Sequence, residues 1–430
     1  MSGSVLNLSS YLFRYRGAFS VAVGLCIGLA VPLSQIGVAY TTILSAVGVG
    51  IAVLHPKRRI WIADMARCLR SPVGIALAVL FLAWVPNLFV SPDPAKSLQV
   101  WVRTIAYLSL GAMLWAYLRE DRDALALTGK IIIIGAAFTV VLVAVNFLGG
   151  TEYIRALRLK EFTEGYPPKV MKHYASPAAC MIPVLLYIGW RLGRNWFVLA
   201  VAACIGFGAF AYLTGSGAAA AGFLVGLYCA GLAWCAKGGW KLPLAGAAVL
   251  AVGVVAGFLW LGAQEVPTRG NFEDYPVSHY LLDQHRQLIW MFVLEKVPDA
   301  LWFGHGIDAI NKTPGADTQI PFLKAEVLPS HPHSWALEIV AETGVLGASA
   351  MIFVLGLVLI RACRSYPSAP GAAVTLTALL GIYFGSGLFS FSFWASWWQL
   401  VLIILWAIVS AEGDRSVLQS DERDHERRAR

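Results

Sequence analysis

The chain has 430 residues, of which 58% are hydrophobic and only 13% are charged, and its formal net charge is +8. A charged fraction this low lies well below that of typical water-soluble domains, so the composition excludes a soluble protein. A helix needs about 20 mostly apolar residues to cross a bilayer. The sequence therefore predicts an all-α integral membrane protein.

Apolar stretches close to the length that crosses a membrane occur twelve times in the chain. In chain order they are 18–34, 36–54, 72–90, 98–118, 130–149, 174–190, 196–213, 218–236, 243–263, 335–360, 370–391 and 395–411. They divide the chain into nine helices over 1–263, a long loop over 264–332, three helices over 333–411 and a charged tail over 412–430.

Lysine and arginine are unequally distributed over the short loops, and this distribution predicts the orientation. Positive charge on short loops keeps them on the cytoplasmic side. With both termini cytoplasmic, the short inner segments hold 16 Lys and Arg, whereas the short outer segments hold only Lys96 and Arg103. Much of the net positive charge is therefore a topology signal, and no nucleic-acid partner is predicted.

Two outer loops, 150–173 and 264–332, are longer than simple connections. Six of the eight histidines lie in or beside them, which predicts a chemical site on the outer face. The first outer loop also carries basic residues that can meet a substrate anion or a lipid headgroup. They are Arg155, Arg158, Lys160, Lys169 and Lys172.

In the second outer loop, the stretch "DQHRQLIWMFVLEKVPDALWFGHG" predicts a helix that ends near Pro298, followed by a tight turn at Gly304 and Gly306. Arg286 and Trp290 are four residues apart and share one face of this helix. An arginine near a membrane face can bind an anionic substrate or extend to lipid headgroups, and the spacing leaves both open.

The stretch "LPSHPHSWALEIVAETG", residues 328–344, places His331 and His333 directly before an apolar helix. Because Pro332 favours the first turn of a helix, this helix is predicted to begin around His333. A neutral imidazole can accept a proton near physiological pH, so His333 is a candidate general base. A histidine at a helix entry can also be a cap or an interfacial polar group.

From that start, Ser334, Glu338 and Glu342 recur every four residues and line one face. Carboxylates in or beside an apolar layer usually face a cavity or a partner, so both glutamates are candidate supporting residues. An ion pair between Glu342 and another helix is a structural alternative. A His-x-His pair beside carboxylates can also bind a metal, although no further ligand motif accompanies it, and no metal is predicted.

These residues resemble two motifs of the O-antigen ligase and polymerase superfamily. The histidine motif has His, a small polar residue, Leu and a later Glu-x-Gly-x-x-Gly, matched here by His333, Ser334, Leu337, Glu342, Gly344 and Gly347. The upstream motif has Arg, Trp and Phe-Gly-x-Gly, matched by Arg286, Trp290, Phe303, Gly304 and Gly306. The twelve-helix layout and the large outer loop between late helices are also similar.

The resemblance implies a bacterial inner-membrane glycosyltransferase of lipopolysaccharide biosynthesis that uses no cofactor. Such an enzyme transfers a glycan from undecaprenyl diphosphate to a sugar hydroxyl of lipid A-core at the periplasmic face, among membrane lipids. His333 would be the base and Arg286 the principal diphosphate ligand, with His331 also binding substrate and Trp290 in a supporting role. One base and no evident nucleophile imply an inverting single displacement.

One position departs from the superfamily pattern. Members often carry Thr-x-Ser-Arg at the outer end of a middle helix, whereas this chain reads "LTGSGAAAAG", with Gly217 in place of the arginine. A second diphosphate-binding cation must then come from elsewhere. The first outer loop offers Lys172, Lys169, Arg158 and Arg155.

Three other functions remain open at this stage. A polymerase that joins repeat units, or a ligase that places a glycan on a protein hydroxyl, would have the same motifs. A transporter or flippase would also have many helices, but transporters usually show related halves and interrupted helices. Here the halves look unlike, and long outer loops with clustered histidines favour chemistry over transport.

Overall fold

The structure is a computed structural model that describes residues 8–55, 58–149, 156, 171–268, 270–279 and 281–429. Helices dominate these residues. They are α1 (Leu8–Ala30), α2 (Val38–Leu54), α3 (Arg58–Leu69), α4 (Pro72–Ala83), α5 (Val85–Val90), α6 (Pro94–Glu120), α7 (Arg122–Gly149), α8 (Ala175–Leu192), α9 (Arg194–Leu213), α10 (Gly217–Cys235), α11 (Lys241–Gly262), α12 (Gln284–Lys296), α13 (Trp335–Arg364), α14 (Pro370–Gly387) and α15 (Ser396–Ala429). A two-residue antiparallel pair, β1 (Gln319–Ile320) with β2 (Ala325–Glu326), lies in the second outer loop.

The predicted all-α membrane class is confirmed. Within the described residues, ten helices are long and apolar enough to cross a membrane, and α2 with α3, bent by 115°, makes an eleventh candidate. The remaining predicted span, 98–118, is not among these candidates. It lies within α6, which has 27 residues and carries Lys96, Arg103 and Arg119. The chain is thus a multi-pass membrane protein.

The second outer loop is tied to α13 by an exchange of backbone hydrogen bonds. His305 N–H donates to the Ala341 carbonyl at 2.9 Å, and Val345 N–H donates to the Leu301 carbonyl at 2.8 Å. The exchange is possible because α13 is kinked at Gly344, where φ is +65°. Non-helical backbone at membrane depth is tolerated only where protein groups satisfy it, and the loop supplies those groups.

The predicted turn after α12 is confirmed. Its glycines are required because the turn approaches neighbouring segments too closely for a Cβ. Gly304 has φ of +72° and Gly306 has φ of +101°. A Cβ on Gly304 would overlap the backbone of Glu342, and a Cβ on Gly306 would overlap Ser91. The glycines of the upstream motif therefore let the loop lie directly against the membrane helices.

Helix α13 begins at Trp335, two residues after the predicted start around His333. Ser334 is its N-cap residue, with an extended backbone at φ −150°. His333 has φ of +54°, a left-handed conformation that few residues with a side chain adopt. Such a conformation persists when surrounding contacts fix it, and the contacts of the histidine ring do so here.

We expect Gly344→Ala to lower the free energy of unfolding by at least about 2 kcal/mol, because alanine is strained at this positive φ and its Cβ would overlap the Trp302 carbonyl. The measurement is thermal or denaturant unfolding of the purified protein in detergent. Gly356→Ala is the matched control, since it lies in the same helix with no described atom within 4 Å of its Cβ. Equal effects of the two substitutions would contradict the role of the kink.

Candidate active site

Helix α12 positions Arg286 and Trp290, the two residues predicted to share its face. Asp283 caps the helix by accepting a hydrogen bond from Arg286 N–H at 3.0 Å, and its carboxylate also pairs with Arg286 Nε at 3.1 Å. One turn later the Trp290 indole N–H donates to the Pro332 carbonyl at 2.8 Å. Trp290 therefore ties α12 to the segment that carries both histidines.

The connection between α14 and α15, residues 388–395, brings the predicted site residues together, and we call it the 388–395 loop. Arg286 Nη1 donates to the Phe389 carbonyl at 2.7 Å. His333 Nδ1 lies 2.8 Å from the Ser390 carbonyl oxygen, and His331 Nε2 lies 3.4 Å from the same oxygen. One short loop thus holds the guanidinium and both imidazoles at adjacent carbonyls.

The hydrogen bond to Ser390 sets the tautomer of His333. A carbonyl oxygen can only accept, so Nδ1 carries the proton and the lone pair of the neutral ring is on Nε2. Within the described residues, no protein group is hydrogen-bonded to Nε2. The imidazole is therefore oriented at one nitrogen and able to accept a proton at the other.

Burial is the largest cause of a His333 pKa lowered from 6.5 to about 4. The neighbouring imidazole of His331, whose ring centroid is 4.2 Å away, also lowers the pKa, while the Ser390 carbonyl opposes them. The pKa of His331 is itself lowered, again mainly by burial. Both rings are therefore neutral at physiological pH, as a proton acceptor must be.

Glu338 and Glu342 are almost fully buried, at 0% and 1% exposed, and they bind the protein rather than face a ligand. Glu338 accepts hydrogen bonds from Ser392 Oγ at 2.6 Å and from Phe393 N–H at 2.5 Å. Neither glutamate is ion-paired with any residue that the structure describes, so the ion-pair alternative for Glu342 is not supported.

Glu342 connects two loops. Its carboxylate accepts the backbone N–H of Asp308 at 2.7 Å and the indole N–H of Trp394 at 2.5 Å, and the N–H groups of Ala309 and Ile310 lie 3.2 Å away. The second outer loop and the 388–395 loop are thereby both attached to α13. The two glutamates position the backbone that orients His333, which is a supporting role.

The cations of the first outer loop are not brought into this arrangement by the part of the chain that the structure describes. Lys172 begins a 3-10 turn, Lys172–Tyr174, before α8 and is exposed. Arg155, Arg158 and Lys169 lie outside the described residues, so their predicted substrate-binding role stays a prediction.

The sequence prediction missed the 388–395 loop. Its residues, "LFSFSFWA", are apolar enough to be read as the end of one span and a short link to the next. It contributes backbone carbonyls to the site, and because every residue has a carbonyl, residue types do not predict this role. The alternation of serine with aromatic residues between two apolar helices is the signal that was available.

A metal was an open alternative for the histidine pair. Among the residues that the structure describes, no group of three or more His, Cys, Asp and Glu is placed so that it could hold a metal ion. The convergent groups are instead one guanidinium and two neutral imidazoles. These are groups that can bind an anion and accept a proton.

Comparison with known proteins covers the middle of the chain. Residues 201–352 match the family model described as "O-Antigen ligase". Over 128 residues the chain is 27% identical to a Rickettsia typhi protein named "putative polysaccharide ligase", covering 29% of this chain and 31% of that protein. A Rickettsia conorii protein of the same name is 27% identical over 119 residues, covering 26% and 28%.

The chain thus matches less than a third of the length of these curated relatives. The family match begins in α9 and ends in α13, and it includes both motifs that carry the predicted resemblance. The predicted resemblance to the O-antigen ligase and polymerase superfamily is therefore confirmed over residues 201–352 of this membrane protein.

Proposed function

We propose that this protein is an O-antigen ligase that transfers a glycan from undecaprenyl diphosphate to a sugar hydroxyl of lipid A-core. The observation that carries the proposal is the convergence of Arg286, His331 and His333 on Phe389 and Ser390. A cation for a leaving diphosphate and a base for an attacking hydroxyl are the two groups that this transfer requires.

The proposed reaction is a single displacement at the anomeric carbon of the donor sugar. The acceptor hydroxyl oxygen forms a bond to that carbon, and its proton passes to Nε2 of His333. The bond from the anomeric carbon to the diphosphate oxygen breaks, and undecaprenyl diphosphate leaves with the electron pair. Because one face is attacked as the other loses its substituent, the configuration inverts. No metal or nucleotide takes part in this scheme.

Arg286 stabilises the negative charge that develops on the leaving diphosphate. A guanidinium has five N–H donors, and here Nη1 and Nε each use one, toward Phe389 and Asp283. Because these two contacts already fix the guanidinium, its remaining N–H groups can bind an anion without a further loss of side-chain entropy. Such preorganised donors stabilise a developing charge more effectively than mobile ones.

The distribution of Lys and Arg supports a periplasmic site with both termini cytoplasmic, in the inner membrane. Donor and acceptor are both lipid-anchored, and a site at the end of membrane helices lets both headgroups reach it. A donor that carries its own diphosphate needs no nucleotide on that face. Membrane lipids surround the helices, and no nucleic acid takes part.

The direct test uses purified protein in lipid nanodiscs with an undecaprenyl-diphosphate-linked glycan and a lipid A-core acceptor. We expect glycan-capped lipid A-core, at the same rate with and without a chelator. In a deletion strain, loss of all capped chains on a lipopolysaccharide gel supports a ligase. A cap of one repeat unit would instead identify a polymerase, and transfer to a protein hydroxyl would identify a protein ligase.

We expect His333→Ala to lower kcat about 100-fold or more with little change in the KM for the donor, because the hydroxyl loses its proton acceptor. Initial rates of the reconstituted transfer give both constants. His279→Ala is the matched control, a histidine of the same outer loop that contacts Phe272 at 4.3 Å between ring centroids. A parent-like rate for inserted, folded His333→Ala would refute the assignment.

The low pKa of His333, about 4, predicts the acid limit of activity. Because the imidazole accepts a proton only when neutral, kcat/KM should stay within about twofold between pH 5.5 and 7.5 and fall only toward pH 4. An ordinary histidine would lose activity with a midpoint near 6.5. A profile of kcat/KM from pH 4.5 to 8 with a midpoint at or above 6.5 would contradict a buried, neutral base.

A further inference from the structure

A second guanidinium contacts the 388–395 loop from a membrane helix that neither motif includes. Arg103, in α6, donates from Nη2 to the Trp394 carbonyl at 2.7 Å. Its Nε is buried and has no hydrogen-bond partner. No carboxylate of the described residues lies within ion-pair distance of Arg103, and Lys96, on the same face two turns away, pairs with Asp308 at 3.3 Å.

This arrangement differs from that of the other interior-facing arginines of the structure. Arg119 is ion-paired with Asp64, Arg191 with Glu412 at 2.7 Å, and Arg286 with Asp283. A cation within a predicted span is costly unless an opposite charge or a cavity receives it. Within the described residues, Arg103 has a carbonyl partner and no carboxylate, so its positive charge is not neutralised by the protein and can be neutralised by an anionic ligand.

The 388–395 loop contacts both this cation and the candidate active site. Phe389 binds Arg286, Ser390 binds His333, and Trp394 binds Arg103 through consecutive parts of the same loop. The loop descends along α13, because Ser392 and Phe393 bind Glu338, and the Trp394 indole binds Glu342. The Trp394 carbonyl that Arg103 binds and the Ser390 carbonyl that His333 contacts are four residues apart in this loop.

We propose that Arg103 is a second cation that binds the diphosphate group of a polyprenyl diphosphate, together with Arg286. The proposal rests on the function proposed above and names a second donor-binding residue. A disubstituted diphosphate has two negative charges and gains a third when the sugar leaves, so a single guanidinium leaves it under-compensated.

The test measures binding alone, with no acceptor and no transfer. Full-length protein in nanodiscs of zwitterionic lipid is titrated with undecaprenyl diphosphate and, in parallel, with uncharged undecaprenol. We expect Arg103→Gln to weaken diphosphate binding about tenfold or more, as loss of charge-assisted hydrogen bonds should, and to leave undecaprenol binding unchanged. Arg103→Lys, which keeps the charge and loses the planar fork, should give an intermediate affinity.

Lys96→Gln is the matched control, because it removes one positive charge from the same face of α6 where Asp308 already pairs with it. We expect its diphosphate affinity to stay within about twofold of the parent. Parent-like diphosphate binding by Arg103→Gln overturns this inference and leaves the proposed function standing. Equal weakening for undecaprenol overturns it too, since it indicates a structural role. If the parent does not bind undecaprenyl diphosphate, the donor class of the proposed function fails as well.

Discussion

Two buried glutamates accept hydrogen bonds from backbone N–H groups, and the rest of the site depends on this interaction. Glu338 and Glu342 are one helical turn apart on α13, and between them they hold the 308–310 turn and the 392–394 turn. These bonds hold the 388–395 loop against α13, and the carbonyls of that loop orient an arginine and two histidines. The 388–395 loop, whose carbonyls contact Arg286 and both histidines, is thus fixed to α13.

Residue types predicted which side chains come together better than they predicted the backbone geometry that brings them together. The membrane class followed from composition, and Arg286, Trp290, His331 and His333 were predicted as site residues that the structure brings together. The start of α13 was misplaced by two residues, because Pro332 is followed by a left-handed His333 that ring contacts impose. The conformational propensities of neighbouring residues do not reflect such long-range contacts.

The role of the 388–395 loop in orienting the site residues could not be predicted from the sequence either. Carbonyl oxygens of Phe389, Ser390 and Trp394 do the orienting, and every residue has a carbonyl. The family match, residues 201–352, ends before this loop and begins after Arg103. The candidate site residues of the matched range are therefore oriented by a loop that lies outside it.

The position of the 388–395 loop near the end of the chain affects when the site is assembled during membrane insertion. Ser390 lies between the final two membrane helices, yet it binds a histidine that precedes α13. A nascent chain that has inserted only as far as α13 contains Arg286 and both histidines but lacks the carbonyls that orient them. For the function proposed above, the candidate site is therefore complete only after the α14–α15 hairpin has docked.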